Sequence, residues 1–228
     1  MEKGYLSLVL HAHLPFVRHP EDENFLEEKW LYEAITETYI PLIWVFENLL
    51  NDGIKFRLTV SLSPPLMAML TDSLLQQRYL KHLNKLRELA AREVSRTKKE
   101  QHEVHQCALM YQNMFEKAYK TFHYDYQDNL VQAFKKFQDH RVLEVITCAG
   151  THGYLPLLGI QRETVRAQIN LAVDYYREYF GKIPEGMWLP ECAYNPGDDQ
   201  FLKEAGIKYF FVDTHGLLFS TPRPKYGI

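Results

Sequence analysis

The chain has 228 residues, 46% hydrophobic and 24% charged, with 26 Lys+Arg against 29 Asp+Glu for a net charge of −3. This composition excludes disordered, collagen-like and low-complexity classes and leaves no broad basic surface for nucleic acid or an anionic membrane. No apolar run reaches the ~20 residues of a transmembrane helix. The opening Met1-Glu2-Lys3-Gly4-Tyr5 runs straight into a strand-like segment instead of a secretory signal. Three cysteines, Cys107, Cys148 and Cys192, form an odd set with no CxxC, which argues against a disulfide framework and for the cytoplasm.

Tyr5–His11 is a short apolar run of the kind buried parallel strands show, followed by a loop over His13–Asn24. From Leu26 to Leu50 apolar residues recur every three or four positions, predicting a helix stopped by Asn51-Asp52-Gly53 and kinked or divided at Pro41. Lys55–Ser63 alternates with period two and breaks at Pro64-Pro65, predicting a second strand. Residues 66–139 contain neither Gly nor Pro and carry helical periodicity, predicting three or four helices inserted in the fold. Strands are expected at Val142–Ala149, Gly186–Leu189 and Lys208–Asp213. Helices are expected at Glu163–Phe180 and Asp198–Ala205, ended by Gly181 and Gly206. Five strands alternating with helices predict an α/β fold with a parallel sheet, whose working residues stand at the carboxyl ends of the strands.

Those ends are rich in chemistry. The first carries His11 and His13, the second Ser61 and Ser63, and the third Cys148 with Thr151-His152-Gly153-Tyr154. The fourth carries Trp188-Leu189-Pro190-Glu191-Cys192-Ala193-Tyr194, the fifth Asp213-Thr214-His215. Four histidines at carboxyl ends, joined by a carboxylate at each of the last two, predict one convergent polar pocket. Glu191 between Trp188 and Tyr194 is suited to carbohydrate: sugar faces stack on the rings while the carboxylate attacks an anomeric carbon or handles a proton. A helix-start acid is the plainer reading of the same residue. His11 and His13 point to the same face of a strand, so they could share a metal with Asp213 or His152, or hold a polar ligand by hydrogen bonds. Cys192 lacks an identified base and reads as a small buried residue. Trp30, on the early face of the first long helix, is either a sugar platform or a core residue. Gly150-Thr151-His152-Gly153 has neither the Lys nor the spacing of a phosphate-binding loop. The basic residues of Lys81–Lys99, interleaved with Glu88, Glu93 and Glu100, read as a solvated helix face.

At these positions the chain resembles the family 57 glycoside hydrolases, in particular their α-1,4-glucan branching enzyme and 4-α-glucanotransferase-like members. The resemblance lies in Leu10-His11-Ala12-His13-Leu14-Pro15-Phe16-Val17, in Ala149-Gly150-Thr151-His152-Gly153-Tyr154-Leu155-Pro156, and most specifically in Met187-Trp188-Leu189-Pro190-Glu191-Cys192-Ala193-Tyr194. It implies an incomplete (β/α)7-type barrel with a mostly helical insertion, no cofactor and no metal at the active centre. It also implies that Glu191 is the nucleophile of a retaining reaction on α-1,4-glucan (amylose, glycogen or maltooligosaccharides), with His11, His13 and His152 lining the donor subsite. Trp30, Trp188, Cys192, Tyr194, Asp213 and His215 complete the expected substrate-binding set. The family's acid/base Asp, on a later barrel strand, has no counterpart up to Ile228. Residues 1–228 are therefore expected to be the N-terminal part of one catalytic barrel domain, truncated before the last strands, with residues 66–139 inserted, and inactive when expressed alone. Two other classes share these residues: a metal-dependent polysaccharide deacetylase or mannosidase-like hydrolase using His11 and His13, and a non-catalytic glucan-binding protein.

Overall fold

The computed structural model describes residues 4, 6–22, 25–99 and 102–225. The expected strand start at Tyr5 and the interleaved Glu100 lie outside them. The chain forms two compact units, one of residues 1–15, 57–67 and 138–228, the other of residues 16–56 and 68–137.

The first unit is built on five parallel strands in sequential order: β1 (Val9–Ala12), β2 (Leu58–Leu62), β3 (Leu143–Cys148), β4 (Gly186–Trp188) and β5 (Tyr209–Phe211). With their crossover helices they make an incomplete α/β barrel. All five strands fall within the expected segments except that β1 runs on to Ala12, and each is shorter than expected, because pairing stops where the chain turns into a loop. His11 lies beside Ser61, Cys148 beside Trp188, and Trp188 beside Phe211. Neighbouring strands therefore end at matching levels, and the residues just beyond them emerge side by side.

Helix α8 (Arg162–Phe180) closes one face of this sheet. Its apolar stripe, Val165, Ile169, Ala172 and Val173, is buried with Met187 and Leu189 of the β4 segment and Phe201 and Leu202 of α9 (Asp198–Glu204). Each fully buried side chain of this size contributes about 1.5–3 kcal/mol, so the cluster fixes β3 and β4 against α8. The helix stops where Gly181 turns left-handed, φ 70°, as its sequence position predicts.

The second unit is helical. The long helix expected over Leu26–Leu50 comes in three pieces: α1 (Leu26–Ala34), a π-helical stretch (Ile35–Tyr39) and α2 (Ile40–Asn51). Pro41 has no N–H to return to residue 37, and the wider π turn just before it, where the Ile40 N–H reaches the Ile35 carbonyl, absorbs the mismatch without breaking the helix. Then follow α3 (Pro64–Thr71), of which residues 68–71 belong to this unit, α4 (Ser73–Thr97), α5 (His102–Tyr119), a second π stretch (Lys120–Asp125) and α6 (Val131–Asp139), which belongs to it up to residue 137. Asp72 caps α4 by accepting from the Leu75 N–H at 3.0 Å. Edge-on ring pairs, Tyr79 with Phe122 at 4.7 Å and Phe46 with Phe137 at 5.4 Å, lie in the core and account for part of the high aromatic content.

Candidate active site

His13 and Ser63 each follow the last residue of a strand, and the Ser63 N–H donates to the Ala12 carbonyl at 3.1 Å. The two side chains thus leave β1 and β2 at the same level, and His13 Nδ1 meets Ser63 Oγ at 2.9 Å. The His13 ring stacks on His152, centroids 3.5 Å apart and 9° from parallel. His152 Nε2 in turn lies 3.4 Å from His11 Nε2. The other side of the His11 ring is taken by Trp188, stacked at 4.5 Å, and Trp188 leans on Phe211 of β5 at 5.4 Å. Three imidazoles and an indole from β1, β4 and the loop after β3 therefore form one continuous aromatic wall.

His152 reaches that wall because its backbone is left-handed, φ 56°. A turn from Ala149, with the His152 N–H on the Ala149 carbonyl at 2.9 Å, sets the conformation. Gln168 of α8 clamps this turn. Its side-chain carbonyl accepts from the Thr151 N–H at 2.8 Å, its amide donates to Thr151 Oγ1 at 2.9 Å, and its main-chain carbonyl accepts from the Gly150 N–H. Gly150 suits that closeness: a Cβ there would stand 3.0 Å from Leu171 and 3.1 Å from the Gln168 carbonyl, so the neighbours would have to give by a few tenths of an ångström.

Glu191 lies in a 3-10 turn (Pro190–Cys192) directly after β4, with φ 55° and ψ 25°. Cys192 beside it is also left-handed, φ 54°. A non-glycine residue in this region costs of order 1 kcal/mol or more, and such conformations gather at working sites. The turn is braced by hydrogen bonds from the Cys192 N–H to the Leu189 carbonyl and from the Ala193 N–H to that of Pro190. Further on, the fully buried Asp198 pairs with Arg162 of α8, whose Nη2 also donates to the Gly197 carbonyl at 2.9 Å. The Glu191 carboxylate is exposed.

Electrostatics ties these groups together. Burial first, then the charge of His152, lowers His11 to about 4. Burial, His152 and His11 lower His13 to about 4. His11 keeps an exposed surface overall, yet the direction stands, because rings this close cannot all carry a proton. His152 is lowered by burial, with the Glu191 charge opposing. The Cys148 thiol is pushed up to about 12, chiefly by burial, with Glu191 and Cys192 adding to it. Cys192 is raised by burial and then by Asp213 and Glu191. At neutral pH the wall consists of uncharged imidazoles, each able to donate and to accept, beside an exposed carboxylate. That combination suits the hydroxyls of a neutral polyol.

The structure brings together His11, His13, His152 and Trp188; the charge of Glu191 acts on His152, and those of Asp213 and Glu191 on Cys192. Tyr194 turns away to stack on Phe210 at 5.4 Å and donate its hydroxyl to Asp199 at 2.9 Å. His215 is exposed on α10 (Thr214–Leu218), and Trp30 is 45% exposed on α1 of the helical unit. Gln168, Arg162 and Phe211 act as supports that spacing alone did not reveal: two lie on a helix with no strand-end signal, the third reads as ordinary strand. Among the described residues no three His, Cys, Asp or Glu side chains converge closely enough to hold a metal ion.

Residues 7–227 match the model of glycosyl hydrolase family 57. The chain belongs to that family. It is 38% identical to a 1,4-alpha-glucan branching enzyme of Thermococcus kodakarensis, over 93% of this chain and 33% of the relative. The alpha-amylase AmyC of Thermotoga maritima superposes with a TM-score of 0.93 at 47% identity, over 97% of this chain and 42% of that one. A branching enzyme of Pyrococcus horikoshii superposes with a TM-score of 0.87 at 35% identity, over 97% and 44%. The family 57 chain described here thus spans a third to under half the length of these relatives. Its five strands are those of the family's incomplete α/β barrel. No helix among the described residues is long and apolar enough to cross a membrane.

Proposed function

We propose that this family 57 chain carries the nucleophile half of a retaining α-1,4-glucan transferase, with branching as its reaction. The observation that supports this most directly is the placement of Glu191: exposed, left-handed, immediately beyond β4, and one turn from the indole that anchors the histidine wall. In the proposed first step a Glu191 oxygen attacks the anomeric carbon and the glycosidic C–O bond breaks, leaving a covalent glycosyl-enzyme. His11, His13 and His152 hold the donor sugar's hydroxyls as neutral donors and acceptors, and Trp188 supplies an apolar surface. Asp213, Cys192, Tyr194 and His215 are assigned to the surrounding substrate contacts.

A retaining reaction needs a second carboxylate about 5–5.5 Å from the first to protonate the leaving oxygen. We assign that role to the portion of the relatives' length that residues 1–228 do not span, and treat residues 66–139 as an insertion within the catalytic domain. Three cysteines without a disulfide fit a cytoplasmic setting. The test is glucan transfer by the intact gene product on amylose, read by debranching the product and sizing the released chains. Glu191→Gln should abolish transfer while the protein still binds maltooligosaccharide, and a covalent glycosyl adduct on Glu191 should be trapped by mass spectrometry. Undiminished transfer in the Gln variant overturns the assignment, and glucan affinity without turnover in the wild type points to a binding protein.

A further inference from the structure

The interleaved charges of α4 do not all face solvent alike. Arg87 pairs with Glu116 of α5, and Arg96 with Glu93 one turn back. The stripe Arg78, Lys81, His82, Lys85 is different: its i, i+3, i+4, i+7 spacing puts four cationic or titratable groups on one face. With Phe25, Lys29 and Tyr32 at the start of α1, that stripe encloses a pocket of about 310 Å³. No acid lines it. Glu28 is engaged from behind, fully buried, accepting from Arg78 Nη1 at 2.6 Å, the His19 N–H at 3.0 Å and the Tyr32 hydroxyl at 2.8 Å. Neither Lys29 nor Lys85 has an ion-pair partner among the described residues.

Lys29 from α1 and Lys85 from α4 bring two exposed ammonium groups to the same pocket, and like charges this close repel. Burial lowers His82, Glu33 opposes this, and Lys29 and Lys85 lower it further. A compact dianion would relieve the repulsion and accept from the lysines, and phosphate oxygens suit such a set.

We propose that the pocket between α1 and α4, lined by Lys29, Arg78, Lys81 and Lys85, is a binding site for a phosphate group. The same chemistry is offered by free phosphate and by a phosphate monoester on a small sugar, and the volume accommodates either. The site is independent of the histidine wall and of the glucan reading.

The probes are inorganic phosphate and glucose 6-phosphate, titrated calorimetrically into the intact protein at constant ionic strength, with glucose as the uncharged control. One saturable site is expected for phosphate. Lys29→Gln/Lys85→Gln should weaken binding by about tenfold or more, since each lost charge removes roughly 1 kcal/mol near the surface. Lys98→Gln/Lys99→Gln, the same loss of charge at the far end of α4, should leave it unchanged. Tighter binding of glucose 6-phosphate than of phosphate identifies the ester as occupant; equal binding identifies the free ion. Absence of saturable binding, or equal weakening in both double variants, overturns the proposal. All four substituted lysines are exposed, so loss of the fold does not confound the comparison.

Discussion

Acidification is the perturbation that acts most directly on the histidine wall. His11 and His13 are lowered from 6.5 to about 4 in the native chain. Between those values the unfolded chain binds protons that the native one refuses, so stability is full above pH 6.5 and is lost as pH falls toward 4. The whole separation corresponds to about 3.4 kcal/mol per ring. His11 is exposed and His13 only half-buried, and solvent screening reduces the figure to about 1 kcal/mol each, about 2 kcal/mol for the pair. Carboxylates titrate in the lower part of this window, so the informative quantity is a difference. Urea unfolding free energies are measured at about pH 7, 5.5 and 4.5 for the wild type and for His11→Gln/His13→Asn. The wild type should lose about 2 kcal/mol more than the variant across that range. Equal losses in the two proteins would refute the claim that burial, together with the neighbouring imidazoles, keeps these rings neutral.

Three further predictions concern the framework. Gly186→Ala should destabilise by about 1–3 kcal/mol in urea, because the new Cβ would stand 2.4 Å from the Tyr209 ring on the neighbouring strand; shifting that ring also strains the hydrogen bond from its hydroxyl to Glu144, now 2.6 Å. A double-mutant cycle with Tyr209→Leu should recover most of the loss, and strict additivity would show that the clash is absent. Glu28→Gln should cost about 3–5 kcal/mol by leaving the buried Arg78 charge uncompensated, whereas Glu28→Met/Arg78→Met should cost much less; the two denaturation midpoints decide it. A thiol reagent at about pH 8 should label the exposed Cys107 first and Cys192 slowly, and Cys148 only after unfolding, as read by peptide mass spectrometry. Prompt labelling of Cys148 would contradict its burial.

What could be read from the sequence, and what could not, follows from the range of the forces involved. The five strands, the helical excursion and the Gly181 stop are local: periodicity and turn chemistry act over a few residues. The π stretch before Pro41 is also local in cause, but a proline shows only that the regular ladder fails, not which way the helix yields. The strand-end rule brought His11, His13, His152 and Trp188 to notice, since parallel strands in sequential order deliver their carboxyl ends to one rim. It was silent on the contacts of Tyr194 with Asp199 and Phe210, which proximity in sequence to Glu191 does not reveal. Gln168 was invisible for another reason. A polar residue in the middle of an amphipathic helix looks like solvated surface until β3 is placed beside it.

The two polar clusters differ in what they require. At the histidine wall burial and mutual repulsion disfavour the charged form of three titratable rings, and an exposed charge beside them is the carboxylate of Glu191. The pocket between α1 and α4 is different in kind, since four of its lining side chains are lysine or arginine. A neutral, hydrogen-bonding wall beside one carboxylate is suited to orienting an uncharged polyol for attack. A cationic cavity that no described acid lines is suited to retaining an anion.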